Sequence, residues 1–542
     1  MAVLLWLFPI VCLSSTDLGT FLQSQQNNGR KQYVSVKTEL LEISFSSAGG
    51  RIINWAIRQD PASAGVSNLY TIPHEPKNSS WDGDFLGIKL FVKGIEHDDH
   101  HVLYNVVQSQ DKNFYIVSFD SPKSKTGFSV RKTYRIPVNG YKFEFILSFL
   151  NKSGSELIFD NGRHGFAIGL HSGVFPVDNQ SLVSVQERVV YKTNKDINNL
   201  QLEVTKNSIV FPGNDLKIEW AGIHSRYDLF CLIPRPATGS TFVSGTIEQA
   251  CESQVQENRL PALHLFHKPF SVKPGQSVDF SYTVFAGPKS RQVLEKTNYG
   301  LDGILFSNLW SWLRPVCLVL MSLLGWLHSI SNSWGLAIVL LSVLMRVFIF
   351  PVSRYSIKKQ RIFKEKQAEL APLIDAINGK YSDGEKAYQE TMKLYKEHNF
   401  SPFASYKGCL GLLVQIPVFV ALYQIICQYY QISGAGFLWI NDLSEPERLF
   451  SFGITLPLVG EWFNFLPLIM CTVQIVQASM MNKSKDKIPG KKKSKGNMGV
   501  YILPVTMMVL FYQFAAGLLL YWTTTNLCQV IEQWAVNKRM EK

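Results

Sequence analysis

An apolar stretch from Trp334 to Val352 sets the main limit on how this chain folds. Its sequence, WGLAIVLLSVLMRVFIFPV, has about the length that a helix needs to cross a bilayer, and its one charged residue is Arg346. A charge inside a membrane helix costs roughly 2.5 to 3.5 kcal/mol on insertion scales, so it is retained mainly where water or a partner reaches it. The first question is therefore what Arg346 faces.

Composition indicates two kinds of structure in one polypeptide. The 542 residues are 46% hydrophobic and 18% charged, and the apolar runs are concentrated after Trp310. The net charge of +12 could indicate nucleic-acid binding, but the excess Lys and Arg lie beside hydrophobic runs, as the positive-inside rule requires. We therefore expect a membrane protein with no nucleic-acid partner.

The first part of the chain predicts an anchor followed by a β-rich domain. Residues 1–24 contain a short apolar run, Ala2 to Leu13, which we interpret as a signal anchor or transmembrane helix, and Gln23 to Gln32 as a polar linker. From Tyr33 to about Pro288, short runs with alternating apolar residues are separated by Gly, Pro, Asn and Asp. This pattern predicts a large antiparallel β-sandwich within residues 25–300.

Two features of this domain have alternative interpretations. The cluster from Glu96 to His101 holds several metal-ligating residue types, but its spacing fits no closed site, so we expect a solvated loop and no metal. Cys231 and Cys251 could form a disulfide or remain two thiols.

Residues 301–542 predict a helical membrane region. Leu309 to Ile330 contains three tryptophans and Arg314, which favours an amphipathic helix on the membrane surface, with a spanning helix as the alternative. The basic segment 353–407 predicts a cytoplasmic helical hairpin. Spans are expected near 334–352, 409–432, 462–481, 500–515 and 518–536.

Loop charges predict the orientation of these spans. The loop from Ser433 to Glu461 is mostly acidic, whereas Lys483 to Lys495 is rich in lysine. Basic loops stay on the cytoplasmic side, so the β-domain is expected outside and the C-terminus inside.

Several spans carry polar side chains on one face. Such faces are satisfied either by a wet cavity or by hydrogen bonds that join packed helices. They are formed by Ser342 with Arg346, Gln474 with Gln477, Thr506 with Gln513, the series Trp522, Asn526, Gln529 and Gln533, and Gln415 alone.

Arg346 favours the wet cavity. No Asp or Glu lies within 334–352, 409–432, 462–481 or 500–522, so the arginine is expected to lack an internal counter-ion. An alternative is that its long side chain reaches the nearby inner interface. We expect a hydrated groove that is open to the cytoplasm and receives a transient anionic or hydrophilic segment.

Sequence motifs at this point resemble those of the YidC membrane-protein insertases. They are LAPLIDAINGKYSDGEKAYQETMKLYKEHNFSPF, GCLGLLVQIPVFVALYQII, FLWINDLS, the arginine in LMRVFIFP, LLLYWTTTNLCQVIEQ and FAGPK, with a weaker likeness in SVKTELLEISFSSAGGRI. The resemblance covers 301–542 closely. It implies a five-helix insertase core preceded by an N-terminal anchor and a β-sandwich domain. It also implies that the protein lies in the inner membrane of a Gram-negative cell, with the β-sandwich in the periplasm and the C-terminus in the cytoplasm.

The resemblance also implies roles for particular residues. Arg346 corresponds to the groove arginine, Ser342 to its hydroxyl neighbour, and Gln415 to the glutamine of the QxPxF motif. Tyr521 and Trp522 correspond to the aromatic pair that contacts incoming segments. With Asn526 from the polar series, these six residues form the predicted substrate groove.

The predicted function is a membrane-protein insertase and chaperone that uses neither a cofactor nor covalent chemistry. Expected partners are nascent membrane proteins, the Sec translocon, the ribosome and membrane lipids. A small-anion transporter or channel is the alternative, although no inverted repeat or acidic ion site is visible. An intramembrane hydrolase is disfavoured because His328 and His398 lie outside the spans.

Overall fold

The computed structural model describes most of the chain. The described residues are 23–25, 30–57, 69–71, 86–92, 95–99, 101–170, 188–194, 196–200, 208–211, 217–236, 240–249, 261–307, 309–381, 384–398, 410–457, 459–483 and 499–540. The predicted anchor run from Ala2 to Leu13, and Cys251, lie outside these residues. Cys231 is a buried free thiol.

Strands dominate the first half of the chain. In chain order they are β1 (Gln23–Gln25), β2 (Tyr33–Lys37), β3 (Leu41–Ser46), β4 (Arg51–Ile57), β5 (Leu69–Thr71), β6 (Gly87–Val92), β7 (Ile95–Asp98), β8 (Asn105–Gln110), β9 (Phe114–Asp120), β10 (Phe128–Pro137), β11 (Lys142–Asn151), β12 (Leu157–Phe159), β13 (Phe166–Leu170), β14 (Arg188–Thr193), β15 (Ile197–Leu200), β16 (Ser208–Phe211), β17 (Ile218–His224), β18 (Asp228–Pro234), β19 (Phe242–Gln249), β20 (Pro261–His267), β21 (Phe270–Val272) and β22 (Ser277–Pro288).

These strands pair antiparallel in two main layers. One layer runs β1-β8-β9-β10-β11-β22-β18-β17-β14-β15, and the other runs β7-β6-β13-β20-β19-β16. The layers join through β17 and β19. The predicted antiparallel β-sandwich is confirmed. The segment predicted as a polar linker begins with β1, which pairs with β8.

Alternating side chains fill the space between the layers. In β11 every second residue is buried, as expected for a strand with one face on the core. Phe149 of β11 contacts Phe166 of β13 with ring centroids 5.3 Å apart, and Tyr282 of β22 stacks on Phe242 of β19 at 5.4 Å. Aromatic rings from both layers therefore interdigitate in one core.

A smaller sheet, β2-β3-β4-β5, contacts the sandwich through Lys132 of β10, which also forms a buried ion pair. Lys132 is fully buried, its Nζ lies 2.6 Å from Oδ2 of Asp99, and it donates to the carbonyl of Gly49 at 2.6 Å. Burial is the main influence on both residues, so it raises the pKa of Asp99 and lowers the pKa of Lys132. The prediction of a solvated loop was therefore wrong for this part of the cluster: residues 95–98 form β7 and Asp99 is a core residue.

Helices and one hairpin form the rest of the chain. They are α1 (Arg291–Glu295), α2 (Arg314–Ser331), α3 (Trp334–Lys380), α4 (Gly384–Glu397), α5 (Leu410–Gln428), β23 (Phe450–Leu456), β24 (Gly460–Phe463), α6 (Leu466–Lys483), α7 (Gly499–Leu510) and α8 (Ala516–Met540). Short 3-10 helices occupy Leu301–Ile304 and Tyr430–Ile432.

Helix bounds differ from the predicted spans at several places. Helix α3 continues from the span near 334–352 into the hairpin region, with Pro351 and Pro372 inside it. Helix α6 begins at Leu466 rather than 462 because β24 occupies the preceding residues. By length and composition, the stretches Arg314–Ser331 and Trp334–Pro351 could each cross a membrane, and α5, α6 and α7 contain shorter apolar stretches.

The β-domain is attached to the helical region through Arg226. This residue follows β17, is 8% exposed, and donates from Nε to the carbonyl of Cys427 at 2.5 Å and from Nη2 to the carbonyl of Ser444 at 2.7 Å. Its Nη1 also pairs with the Glu445 carboxylate. Since Cys427 lies in the last turn of α5, the β-domain and the loop after α5 lie at the same end of the helices.

Candidate functional site

Arg346 of α3 forms an ion pair with Glu532 of α8. Nη2 lies 2.5 Å from Oε2, and the two side chains are only 12% and 6% exposed. The expectation that Arg346 lacks an internal counter-ion was wrong. The acidic residue lies beyond Trp522, because α8 continues to Met540 and holds Glu532 within the helix.

Helical spacing brings Glu532 to the same face as Tyr521. The residues Tyr521, Thr525, Cys528 and Glu532 are separated as i, i+4, i+7 and i+11, which places them in one row along α8. Arg346 lies close enough to Tyr521 and Cys528 for its charge to act on both. This row therefore faces α3.

Gln415 connects α5 to the same row. Its Nε2 donates to the Tyr521 hydroxyl at 2.8 Å, and Tyr521 is 1% exposed. The hydrogen bond joins two predicted groove residues that are far apart in sequence. Three helices, α3, α5 and α8, thus bring Arg346, Gln415, Tyr521 and Glu532 together. We call these residues, with the buried Asn526 of the neighbouring face of α8, the polar cleft.

Ser342 has a different environment from the one that a groove-lining role suggests. It lies one turn before Arg346 and is fully buried, and its Oγ donates to the carbonyl of Ile338 in its own helix at 2.7 Å. Its hydroxyl is therefore satisfied within α3.

Trp522 lies in an aromatic cluster beside the polar cleft. Its ring is 4.6 Å from Phe419 of α5 in an edge-on contact and 5.0 Å from Phe511, between centroids. The indole is half-buried. Aromatic side chains and polar groups therefore occupy adjacent faces of α8.

Some polar atoms of α8 are buried without a hydrogen-bond partner among the described residues. They are Nδ2 of Asn526, Oε1 of Glu532 and Oγ1 of Thr523. A buried polar atom that lacks a partner costs about 1 to 3 kcal/mol. Polar atoms at membrane depth are therefore expected to meet water or a ligand here.

The end of α8 nearest the β-domain is closed. The N–H groups of Ala516 and Gly517 donate to the carbonyls of Glu445 and Leu443, each at 2.8 Å. A Cβ atom on Gly517 would lie 2.8 Å from the Leu443 carbonyl oxygen and 3.2 Å from Ile338, so only glycine fits this contact. The loop after α5 therefore packs on the first turn of α8, about one turn before Tyr521.

Sequence reasoning placed Arg346, Gln415 and Tyr521 in one site, and the structure brings their side chains together. It missed Glu532 and Phe419. Glu532 could have been found by extending the counter-ion search along the whole of the last apolar run. Phe419 is the aromatic residue of the QxPxF motif, and its contact with Trp522 depends on the packing of α5 against α8.

Two family models match the chain. The model for the YidC periplasmic domain matches residues 33–316, and the model for the 60Kd inner membrane protein matches residues 326–542.

Curated relatives are similar over nearly the full length. The membrane protein insertase YidC of Methylobacillus flagellatus is 30% identical over 525 residues, which cover 94% of this chain and 84% of that protein. The membrane protein insertase YidC of Treponema denticola is 25% identical over 543 residues, covering 95% and 87%. A crystal structure of an active YidC insertase with its first transmembrane domain resolved is 18% identical, with a TM-score of 0.36, and covers 95% of this chain and 93% of that one.

Proposed function

The chain belongs to the YidC family of membrane protein insertases, and from this membership we propose that the polar cleft is the path along which it inserts its substrates. The protein lies in the inner membrane, because its two parts match the models of an inner membrane protein and of a periplasmic domain. We further propose that the β-domain lies in the periplasm and the C-terminus in the cytoplasm.

The observation that carries this proposal is the set of buried polar atoms of α8 that have no partner among the described residues. Nδ2 of Asn526 can donate and Oε1 of Glu532 can accept a hydrogen bond. A hydrophilic segment carries amides and side chains of both kinds. Its entry would satisfy these atoms, which lowers the free energy needed to bring the segment out of water.

Glu532 gives Arg346 a partner when no substrate is present. An incoming acidic or amide group would replace the Glu532 carboxylate at the guanidinium, so that Arg346 exchanges one partner for another. Since Glu532 neutralises Arg346, the pair offers a small anion a weaker binding site than an unpaired arginine would. This favours insertion over the small-anion transporter.

The aromatic cluster gives the apolar part of a substrate a separate place. Trp522, Phe419 and Phe511 pack together next to the polar row. We propose that the substrate's transmembrane segment slides along this cluster into lipid while its hydrophilic end occupies the polar cleft. No step requires a covalent intermediate or a cofactor.

Partners follow from this role. Newly made membrane proteins are the substrates, and the ribosome and the Sec translocon are proposed to deliver some of them. The α3 and α4 arms, which pack together at the end of α3 distant from the β-domain, are the proposed receiving surface. Helix α4 has a basic residue, Lys396, in its last turn and an acidic residue, Glu385, in its first.

Site-specific photo-crosslinking tests the proposal. A photo-reactive amino acid is placed at 415 or 522, and a stalled nascent chain with one transmembrane segment is presented to inverted membrane vesicles. Position 347 is the matched control, because Val347 is 65% exposed on α3 and points away from the cleft. We expect adducts at 415 and 522 that decline when the chain is released, and few at 347. Equal adducts at all three positions, or none at 415 and 522, would contradict the proposed path.

A further inference from the structure

The hairpin β23–β24 carries an exposed apolar surface that the insertion path does not use. Phe450 pairs with Phe463 across the hairpin, and their rings stack with centroids 4.8 Å apart. Phe452 contacts Phe450 at 5.6 Å. Ile454, two residues further along the strand, is 63% exposed. We call Phe450, Phe452 and Phe463 the aromatic face of the hairpin.

Ser451 lies between Phe450 and Phe452 and points to the opposite face of β23, because side chains alternate along a regular strand. It is exposed, it pairs with Trp462 of β24, and its Oγ donates to the Glu461 carboxylate at 2.7 Å. Beyond Ser451 the register of the hairpin shifts and Gly453 has a positive φ of 71°, so the alternation does not extend to Ile454 and Thr455. The hairpin therefore has one face formed by aromatic rings, within an uncharged sequence from Leu449 to Gly460.

The hairpin lies at the end of the helical bundle that faces the β-domain. Helix α6 begins directly after it, and the Glu447 carboxylate accepts hydrogen bonds from the N–H groups of Phe465 and Leu466 at 2.7 Å each. Glu447 also accepts from the Trp439 indole. Trp439 and Phe465 contact each other with centroids 6.1 Å apart and are 41% and 43% exposed.

This arrangement has the chemistry of a membrane–water boundary. A tryptophan whose N–H is bonded inward and whose ring is exposed is typical of the aromatic belts at that level. The aromatic face continues this belt outward from α6. We infer that the hairpin rests on the leaflet nearest the β-domain, with its aromatic face among the lipid acyl chains close to the headgroups.

Backbone chemistry limits the depth of the hairpin. A two-stranded sheet has open edges whose N–H and C=O groups need hydrogen bonds, so it cannot enter the hydrocarbon core. In water, the same edges beside a row of exposed aromatic side chains would favour aggregation. The headgroup level satisfies both requirements, because the edges meet water while Phe450 and Phe452 meet lipid.

Three cysteine variants test this inference on the full-length protein. The F450C and F452C variants place a thiol on the aromatic face, and S451C places one between them on the opposite face of the same strand. They are made in a background whose native cysteines are replaced and which still inserts membrane proteins. The rate of reaction with a membrane-impermeant maleimide is measured in right-side-out vesicles and in proteoliposomes of the purified protein.

We expect S451C to react at least ten times faster than F450C and F452C in both preparations. Equal rates for the three variants would show that both faces meet water, and slow reaction of all three would show that the whole hairpin is buried; either result would overturn the inference. Protection of F450C and F452C in cell-derived vesicles but not in proteoliposomes would assign the face to a protein partner instead of lipid and would also overturn it. These outcomes do not depend on whether the polar cleft is the insertion path.

Discussion

Replacing Glu532 with glutamine should destabilise the helical region, because it removes the negative charge that compensates Arg346. The pair is mostly buried, with exposures of 12% for Arg346 and 6% for Glu532, and the joining distance is 2.5 Å. Removing one member of a buried ion pair costs about 3 to 5 kcal/mol, largely because the remaining charge is left without a partner. We expect about 3 kcal/mol for E532Q, since glutamine still offers Arg346 a neutral oxygen.

A double-mutant cycle separates this pair from general damage to the site. R346Q should also lower the free energy of unfolding. The double variant R346Q/E532Q places two neutral amides together and should lose less than the sum of the single variants by about 2 kcal/mol or more. This non-additivity is the signature of a direct interaction between the two side chains.

Denaturation of the purified protein in mixed micelles measures these differences, with helix content followed by circular dichroism. E390Q is the matched control, because Glu390 pairs with Lys393 on α4 at 2.8 Å but the side chains are 38% and 65% exposed. An exposed pair of this kind contributes little to stability, because water and salt screen it. If the losses in R346Q and E532Q add up in the double variant, the reasoning from burial and distance is refuted.

The same variants have opposite expected effects on substrate contact. E532Q leaves Arg346 without its charged partner, so adducts from position 522 to a substrate with an acidic tail should persist longer. R346Q should shorten them. Equal lifetimes in both variants would show that Glu532 and substrate do not compete for Arg346.

Three further predictions concern the β-domain. Arg226→Ala removes the hydrogen bonds to the carbonyls of Cys427 and Ser444, so limited proteolysis should separate the β-domain from the helices several-fold faster. R226K should show an intermediate rate, because a lysine cannot donate to both carbonyls with the geometry of a guanidinium. K132M leaves the buried Asp99 carboxylate without its cation, and chemical denaturation should show a loss of about 3 to 5 kcal/mol that K132M/D99N partly recovers. Burial lowers the pKa of Lys289 to about 7, so above that pH the unfolded chain binds more protons than the folded chain. The free energy of unfolding should therefore rise between pH 7 and 9 by up to about 1.4 kcal/mol per pH unit, and Lys289→Met should flatten this dependence.

The sandwich was predictable because its signal is local. In β11 apolar residues alternate with polar ones over the whole strand, and this period alone assigns a buried face. The ion pair of Lys132 with Asp99 was not predictable, because Lys132 lies on β10 and Asp99 follows β7, and only the packing of the two layers buries them together. A charged cluster at β7 therefore looked solvated in the sequence although one of its carboxylates is in the core.

The polar cleft was also predictable only in part. Helical spacing predicts a polar face on α8 at Trp522, Asn526, Gln529 and Gln533, whereas the row that meets Arg346 and Gln415 is the neighbouring one, which holds Tyr521 and Glu532. The family motifs identify Arg346, Gln415 and Tyr521. The pairing of Arg346 with Glu532 depends on how α3 packs on α8 and on where α8 ends, which the apolar run does not define. Likewise, the predicted span 462–481 includes Trp462 and Phe463 of β24, because these two residues are as apolar as a helix would require.

The ion pair also bears on how the cleft can release what it binds. A bare arginine in a low-dielectric cleft would hold an anionic segment tightly, because the charge would be left uncompensated on release. With Glu532 in place, binding exchanges one charged hydrogen bond for another, so Arg346 is compensated both before and after the substrate passes. The exchange leaves the buried Glu532 carboxylate without its partner, so it costs free energy, and burial of the substrate's apolar segment in lipid must supply that free energy. Such a site favours transit over capture, which is what the insertion of many different chains requires.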